Sequence, residues 1–271
     1  MSEPYVLVTG ASSGLGVGFA RAYAKKGRSL VLTARREDRL KALAGDLLSD
    51  RVKVETVSMD LAEVGAAARL RKVCREKGWW IDGVVNNAGL GFQIDLRDLS
   101  NDQVLRMMQV NVVAFTEMMQ LFLPEMTARK RGFILNVAST AGFSPVPHFS
   151  VYAATKAYVI SLSEAVHEEM KTRGVKVCCL CPGPVDTEFQ QAAGVDPRFF
   201  AATQAVEPVV EKGLALVEKG AALGWSSLYQ RVSSLAMELA PRGLRRWVIG
   251  QVMKACLRKE AERKAVLKNK L

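Results

Sequence analysis

The residues best suited to chemistry are a tyrosine and a lysine about one helical turn apart. Tyr152 and Lys156 lie four residues apart in a predicted helix, which places both on one face of it. A phenol with a pKa near 10 is a poor acid or base at neutral pH, but a neighbouring ammonium favours the phenolate. Ser139 ends a predicted strand thirteen residues before Tyr152. Its hydroxyl is suited to hold a substrate oxygen while the tyrosine exchanges a proton with it.

A glycine-rich turn supplies a second piece of chemistry. Thr9–Gly16 follows the first predicted strand and opens the first predicted helix. Helix N-termini offer free N–H groups and the positive end of a dipole, so such a turn binds phosphate. The glycine spacing, G-x-x-x-G-x-G, differs from the commoner G-x-G-x-x-G fingerprint of dinucleotide sites, and a plain tight connection is the alternative. The predicted phosphate-binding residues are Gly10, Ser12, Ser13, Gly14, Leu15 and Gly16.

Two arginines follow the second predicted strand. Arg35 and Arg36 come directly after Ala34, where an NAD-binding site places an acidic residue against the ribose 2′-hydroxyl. A carboxylate repels a 2′-phosphate, whereas guanidinium groups bind one bidentately. The pair therefore predicts NADP(H) rather than NAD(H), with a solvated basic turn as the alternative.

Polar residues also follow the third and fourth predicted strands. The Asp60 carboxylate is suited to accept a hydrogen bond from the adenine amino group or to act as the N-cap of the next helix. Asn86–Gly89 ends the fourth strand at the edge where doubly wound sheets bind ligands, although a simple turn is the alternative. The predicted cofactor contacts in these two segments are Asp60, Leu61, Asn87, Ala88 and Gly89.

The elements that position these residues alternate between strands and helices. Most strand candidates are almost continuously apolar, which is typical of strands covered on both faces in a parallel sheet. The predicted strands are Tyr5–Thr9, Ser29–Thr33, Val52–Ser58, Gly83–Asn86, Gly132–Ala138 and Val175–Cys181, with Ala221–Trp225 as a candidate last strand. Helices are predicted over 15–26, 37–48, 63–77, 101–129, 151–173 and 204–219, followed by two helices in 228–271 broken at 241–243. This alternation predicts an α/β fold with a doubly wound sheet.

Composition narrows the class of protein. The chain has 271 residues, of which 49% are hydrophobic, and this content excludes an intrinsically disordered chain. The formal charge is +11, because 38 Lys and Arg stand against 27 Asp and Glu. Ten of those basic residues and two of the acidic ones lie in 242–271, so this segment alone carries +8. No apolar stretch is long enough to predict a transmembrane helix.

The cysteines indicate a reducing compartment. There are five, an odd number, and Cys178, Cys179 and Cys181 crowd into one apolar run. That pattern is poor evidence for a disulfide framework, so we interpret these three as small buried hydrophobic residues. With only two histidines in the chain, we expect no metal site. The N-terminal sequence lacks the pattern of a signal peptide, and we expect a cytoplasmic protein.

Together these motifs resemble those of the short-chain dehydrogenase/reductase superfamily. Five of them occur in the family's order over about residues 4–225, namely Thr9–Gly16, Asn86–Gly89, Ser139, Tyr152-x-x-x-Lys156 and Pro182–Thr187. The resemblance implies a Rossmann-type fold with about seven parallel strands. It also implies NAD(P)-dependent interconversion of a carbonyl and an alcohol.

The resemblance assigns roles to individual residues. It makes Tyr152 the general acid/base, and Lys156 the group that lowers the pKa of Tyr152 and binds the nicotinamide ribose. Ser139 then orients the substrate oxygen, and Asn111 holds a water in a proton relay. Arg35 falls where NADP-preferring members carry a basic residue. The residues that match the nicotinamide-contacting loop are Pro182, Gly183, Val185 and Thr187.

Two segments beyond these motifs bear on the substrate. Residues 186–203 resemble the family's substrate-closing lid, where Phe189, Phe199 and Phe200 either line an apolar pocket or hold the lid to the body. Residues 226–271 form a basic helical extension that includes Trp247. Its simpler interpretation is packing on its own or a second subunit, and peripheral membrane contact is the alternative. Nucleic acid is not expected, because no reading motif accompanies the charge.

We therefore expect residues 1–271 to form a single domain that acts as an NADP(H)-dependent reductase. The expected substrate is a hydrophobic ketone, a 3-ketoacyl compound or a steroid-like compound. One alternative is a secondary-alcohol dehydrogenase that works oxidatively, and another is a non-catalytic NADP(H)-sensing protein. A homodimer or homotetramer through the helices at 101–129 and 151–173 is expected from the resemblance.

Overall fold

The computed structural model describes residues 3–196, 199 and 202–268, with the side chains of 259–268 outside its description. Within that part of the chain, seven parallel strands form one sheet in the order β3-β2-β1-β4-β5-β6-β7. The strands are β1 (Pro4–Thr9), β2 (Ser29–Ala34), β3 (Val54–Ser58), β4 (Trp80–Asn86), β5 (Gly132–Val137), β6 (Val175–Cys181) and β7 (Leu223–Trp225). The predicted doubly wound α/β fold is confirmed.

Helices connect the strands and cover both faces of the sheet. They are α1 (Gly14–Lys25), α2 (Glu37–Leu47), α3 (Ala66–Glu76), α4 (Asn101–Met108), α5 (Phe115–Ala128), α6 (Ser150–Met170), α7 (Glu188–Ala192), α8 (Val206–Lys219), α9 (Leu228–Leu239) and α10 (Arg242–Lys268). One apolar cluster lies under α1, α2 and α8, and a second under α3, α5 and α6. The strands are apolar throughout because both of their faces are covered.

The strand order fixes where a ligand can bind. The chain runs outward from β1 through β2 to β3, then returns to place β4 on the other side of β1. Loops that follow β1 and β4 therefore leave the sheet in opposite directions, and a crevice opens between them at the carboxyl ends. Thr9 and Asn86, the last residues of these two strands, lie at its floor.

Three local features differ from the sequence predictions. The helix predicted over 101–129 contains a π-helical segment, Gln109–Ala114, between α4 and α5. Such insertions are frequent at functional sites, and Asn111 lies in this one. The helix predicted from residue 63 begins at Ala66, because Asp60 closes a turn before it. The segment 186–203, for which no helix was predicted, contains the short helix α7.

The predicted break in the C-terminal extension is confirmed near Pro241. α9 ends at Leu239, and α10 begins at Arg242, so Gly243 belongs to the first turn of α10 rather than to the break. The cysteines of β6 are free and buried, as small hydrophobic residues would be. Among the described residues, no helix is long and apolar enough to span a membrane, and no cluster of His, Cys, Asp and Glu is suited to hold a metal ion.

Candidate active site

One cleft of about 1440 Å³ at the carboxyl ends of the strands collects nearly all of the predicted site residues. Those that line it are Gly10, Ser12, Ser13, Gly14, Leu15, Arg35, Arg36, Asp60, Leu61, Asn87, Ala88, Gly89, Ser139, Tyr152, Lys156, Pro182, Gly183, Val185 and Thr187. The two predicted residues that do not line the cleft are Gly16 and Asn111. Both lie immediately behind its wall, where they hold other residues in position.

The glycine-rich turn requires glycine for two different reasons. Gly10 adopts a φ of +67°, in the left-handed region that side chains disfavour. A Cβ at Gly16 would collide with the carbonyl oxygen of Gly10, so this glycine lets α1 pack closely against the turn. The first turn of α1 consequently faces the cleft with its N–H groups, which suits phosphate. Gly14 contacts Thr187 across the cleft, where a Cβ would come within 2.9 Å of the threonine methyl.

Thr9 joins the glycine-rich turn to the segment that follows β4. Its hydroxyl accepts hydrogen bonds from the backbone N–H groups of Asn87 and Ala88, both at 2.9 Å. The Asn87 side chain in turn donates to the Thr9 carbonyl at 2.9 Å. These bonds brace the glycine-rich turn against the segment that follows β4. Thr9 was not among the predicted site residues, because a lone threonine at a strand end carries no distinctive signal.

The basic residues after β2 form a cluster centred on Arg36. Its guanidinium donates to the Ser12 hydroxyl at 3.1 Å and pairs with Glu188 of α7 at 2.8 Å. Arg39, in the first turn of α2, pairs with the same carboxylate at 2.7 Å. Arg35 is exposed and lies at the rim of the cleft. Sequence reasoning missed Arg39 and Glu188, since nothing local relates residue 188 to the end of β2.

Asp60 serves the protein's own structure. One carboxylate oxygen accepts from the Ala62 N–H at 2.9 Å, and the other pairs with Arg106 of α4 at 2.9 Å. The N-cap of α3 is Gly65, so the expectation that Asp60 is a helix N-cap is wrong, and the carboxylate caps the preceding turn instead. Asp60 nevertheless lines the cleft, as the adenine interpretation requires.

The serine, tyrosine and lysine of the predicted catalytic set lie together in the cleft. Tyr152 and Lys156, on α6, are 8% and 3% exposed, and the lysine nitrogen lies 5.7 Å from the centre of the tyrosine ring. Ser139, which follows β5, hydrogen-bonds the Tyr152 hydroxyl. The lysine donates to the Val137 carbonyl at 3.0 Å, which holds it at the end of β5. Serine, tyrosine and lysine are thus brought together as the motif predicts.

The electrostatics differ from the prediction that the lysine lowers the pKa of the phenol. Burial raises the pKa of Tyr152 to about 12, and the hydrogen bond with Ser139 is the influence that opposes this rise. Burial also lowers the pKa of Lys156 to about 8, against the attraction of nearby Cys179 and Cys181. The ammonium donates to the Val137 carbonyl and lies 5.7 Å from the centre of the tyrosine ring. Burial therefore favours the neutral form of the Tyr152 phenol.

Asn111 fastens the loop after β4 to the helix that carries Tyr152. Its side-chain oxygen accepts from the Leu90 N–H, and its nitrogen donates to the Leu90 carbonyl, both at 2.8 Å. The second N–H of the amide donates to the Thr155 hydroxyl at 3.0 Å, and this hydroxyl donates to the Tyr152 carbonyl at 2.7 Å. Both amide donors are therefore used by the protein. Thr155 is a positioning residue that the sequence pattern did not reveal.

Aromatic side chains form the substrate side of the cleft. The Tyr152 ring lies between Phe149, with centroids 4.9 Å apart, and Phe189 of α7, at 5.5 Å. Trp225 stacks on Phe143, with centroids 5.9 Å apart. Phe199 is buried in an apolar cluster with Val195, while the predicted contribution of Phe200 lies outside the described residues.

The C-terminal extension is part of this wall. Met253 of α10 is 7% exposed and packs with Val195 and Phe199. At the start of α9, Gln230 packs so closely on Gly183 that a Cβ there would collide with it, and the Ser226 hydroxyl accepts from the Gly183 N–H at 3.3 Å. Packing on its own subunit, the simpler of the two interpretations of this segment, is therefore confirmed for these residues.

A glycine-rich turn at the crevice between β1 and β4, a basic cluster beside it, and a serine next to a buried tyrosine and lysine together define a dinucleotide-dependent oxidoreductase. The chain belongs to the short-chain dehydrogenase family, whose model, described as short chain dehydrogenase, matches residues 4–197. Membership confirms the resemblance and the enzyme class expected from the sequence.

Individual relatives span different chemistries. A very-long-chain 3-oxoacyl-CoA reductase of Bos taurus is 34% identical over 192 residues, which cover 68% of this chain and only 60% of that protein. A solved short-chain dehydrogenase from Sphingobium yanoikuyae in complex with NADPH is 30% identical, with a TM-score of 0.80 over 91% of this chain and 95% of that one. A bulky-bulky ketone specific alcohol dehydrogenase from Comamonas testosteroni is 26% identical, with a TM-score of 0.76 over 87% and 92%.

Proposed function

We propose that this chain is an NADPH-dependent reductase of bulky, apolar carbonyl compounds. The observation that carries the proposal is the single cleft in which the Ser139–Tyr152–Lys156 set lies between the basic cluster and an aromatic wall. The basic cluster is suited to bind the cofactor, and the aromatic wall is suited to bind the substrate.

The residues present fit NADP(H). The glycine-rich turn leaves space for a phosphate group, and a Cβ at Gly14 would narrow this space. Arg36 and Arg39 provide guanidinium donors for a 2′-phosphate. Both arginines are paired with Glu188, whose pKa they hold below its usual range. A 2′-phosphate that takes up these donors therefore competes with that carboxylate. The relative from Sphingobium yanoikuyae, solved with NADPH, supports the same cofactor here.

The chain's own residues supply the proton and the orientation. An NADPH bound in the cleft provides the hydride for a carbonyl carbon. Ser139 holds the carbonyl oxygen by a hydrogen bond, and the neutral Tyr152 donates its proton to that oxygen as negative charge develops there. Lys156, fixed by Val137, is suited to bind a ribose hydroxyl with its remaining N–H donors. With a pKa of about 12, Tyr152 stays protonated at neutral pH, which is the form that proton donation in reduction requires.

The aromatic wall supports a bulky and apolar substrate. Phe143, Phe149 and Phe189 line the cleft beside Tyr152, together with Val252 and Met253 of the C-terminal extension. Burying this apolar surface against the hydrocarbon part of a substrate is favourable, whereas burying it against a charged group is not. Two relatives support the same substrate class, namely the very-long-chain 3-oxoacyl-CoA reductase of Bos taurus and the bulky-bulky ketone specific alcohol dehydrogenase from Comamonas testosteroni.

The test is NADPH consumption by the purified full chain with carbonyl compounds of graded size. We expect kcat/KM to rise from short ketones to ketones with large substituents on both sides, and to be far higher with NADPH than with NADH. Preference for small charged carbonyls would overturn the substrate proposal. An oxidative dehydrogenase would instead turn over secondary alcohols with NADP⁺ faster than it reduces the matching ketones at neutral pH.

The chain is also proposed to act as a homodimer or homotetramer. Three of the methionines on the long helices, Met107, Met118 and Met119, are buried in the chain's own core, so they do not serve an interface. The exposed apolar residues left on these helices are Leu105, Met108, Val113 and Tyr158. Light scattering on the purified protein tests this proposal, and a monomer at micromolar concentration would contradict it.

A further inference from the structure

A stripe of exposed apolar residues runs along the whole length of α9. Leu228, Val232, Leu235 and Leu239 recur at helical spacing and are 74%, 58%, 36% and 85% exposed. A stripe of this kind ordinarily faces a protein core. Here the opposite side of the helix faces the cleft through Ser234, so the stripe is an additional apolar surface.

The adjoining helix α10 also exposes apolar side chains. Leu244, Trp247 and Val252 are 50%, 63% and 52% exposed, although Met253 on the other side of the helix is buried against the lid. We call these exposed apolar residues of α9 and α10 the outer face; its members are Leu228, Tyr229, Val232, Leu235, Leu239, Leu244, Trp247 and Val252. Exposed apolar groups in such number mark an interaction surface.

The charge around the outer face identifies its partner. Arg242, Arg246 and Lys254 are exposed on α10, and the segment 242–271 carries a net charge of +8, while residues 1–241 carry only +3. A second copy that docked through the same face would bring two segments of +8 together. An anionic lipid surface instead attracts this charge and accepts tryptophan and leucine side chains at its headgroup boundary.

The outer face also borders the entrance to the cleft. Tyr229 of α9 and Val252 of α10 line the same cavity as Tyr152, and they are 76% and 52% exposed. These two residues therefore lie where the cavity meets solvent. Tyr229 and Val252 therefore connect the outer face with the cavity that holds Tyr152.

We propose that the outer face docks on an anionic lipid surface, and that the lipophilic carbonyl substrate enters the cleft from that surface. Docking rests on the exposed residues and charge alone. Entry from the lipid rests in addition on the proposed reductase function. Vesicle binding measured without substrate tests docking alone. Turnover of a small soluble ketone measured without vesicles tests the reductase function alone.

The experiment is co-sedimentation of the full chain with vesicles of phosphatidylcholine alone or mixed with phosphatidylglycerol. The test variant is Trp247→Ser with Leu239→Ser, at 63% and 85% exposure. The matched control is Leu48→Ser with Val64→Ser, at 63% and 83% exposure on distant surfaces. We expect the wild type and the control to bind the anionic vesicles, and the test variant to bind at least tenfold more weakly.

Each outcome decides the proposal. High salt should weaken binding, because cationic side chains contribute to it. Equal binding of test and control variants, or binding that ignores phosphatidylglycerol, would overturn it. So would a wild type that binds no vesicles but changes from dimer to monomer in the test variant, since a second copy would then cover the outer face. Unchanged turnover of a small soluble ketone by the test variant shows that its fold is intact.

Discussion

The two sides of the cleft are built in different ways. On the cofactor side, short polar motifs at strand ends are fixed by hydrogen bonds to neighbouring backbone, as Thr9 is to Asn87 and Ala88. On the substrate side, α7 and α10 contribute apolar side chains that contact one another across long stretches of sequence. The first construction fixes the reaction and the cofactor, and the second leaves the substrate free to differ between members of one family.

The largest effect on turnover is expected at Tyr152, which lies where the two sides of the cleft meet. Tyr152→Phe removes the proton donor, so turnover should fall by about 10²–10⁴-fold while NADPH affinity changes little. Steady-state kinetics and fluorescence titration check this. The control is Tyr158→Phe on the same helix, whose hydroxyl bonds only Thr116 at 2.9 Å, and which should stay near wild-type activity. Full turnover by Tyr152→Phe would remove Tyr152 from its proposed role.

The next effect concerns the cofactor side alone. Replacing both Arg36 and Arg39 by alanine removes the guanidinium donors of the basic cluster, and hydrogen bonds to charged groups are worth about 1.5–3 kcal/mol each. NADPH should bind about 10–100-fold more weakly, with NADH affinity almost unchanged. Arg35→Ala, at an exposed residue, should have a much smaller effect. If Arg35→Ala instead accounts for the whole loss, the assignment of the basic cluster is wrong.

A smaller effect is expected behind the cleft wall. Thr155→Val leaves one N–H of Asn111 without its acceptor and frees the Tyr152 carbonyl. We expect the free energy of unfolding to fall by about 1–3 kcal/mol and kcat to fall with little change in KM. Thr155→Ser keeps the hydroxyl and should restore both values. Equal behaviour of the valine and serine variants would show that the hydroxyl has no positioning role.

The smallest effect is expected for a substitution in α7, the helix that contributes to both sides of the cleft. Glu188→Gln removes the carboxylate that pairs with Arg36 and Arg39 and competes with a 2′-phosphate. Because surface ion pairs contribute about 0–1 kcal/mol, NADPH affinity should rise only about two- to fivefold. NADH affinity is the internal control and should not change. Weaker NADPH binding would show that Glu188 supports the site rather than competes for it.

The same contrast explains what the sequence could predict. The strands, the glycine-rich turn and the Tyr152–Lys156 pair follow from local periodicity and spacing, and the structure confirms them. Arg39 and Glu188 were missed, because their pairing joins α2 to α7 across 149 residues. Thr155 was missed because a helical threonine looks ordinary until its partner Asn111 is placed. The raised pKa of Tyr152 depends on burial, which no motif records.

The dependence of both reaction directions on pH tests the central claim, that Tyr152 is buried and neutral and donates the proton to the carbonyl oxygen in reduction. Reduction needs the protonated phenol, so with a pKa of about 12 its rate should be flat between about pH 6 and 8. Oxidation needs the phenolate and should rise roughly tenfold per pH unit over the same range. A reduction rate that falls with pH, together with an oxidation rate that is already level near pH 7, would contradict the account.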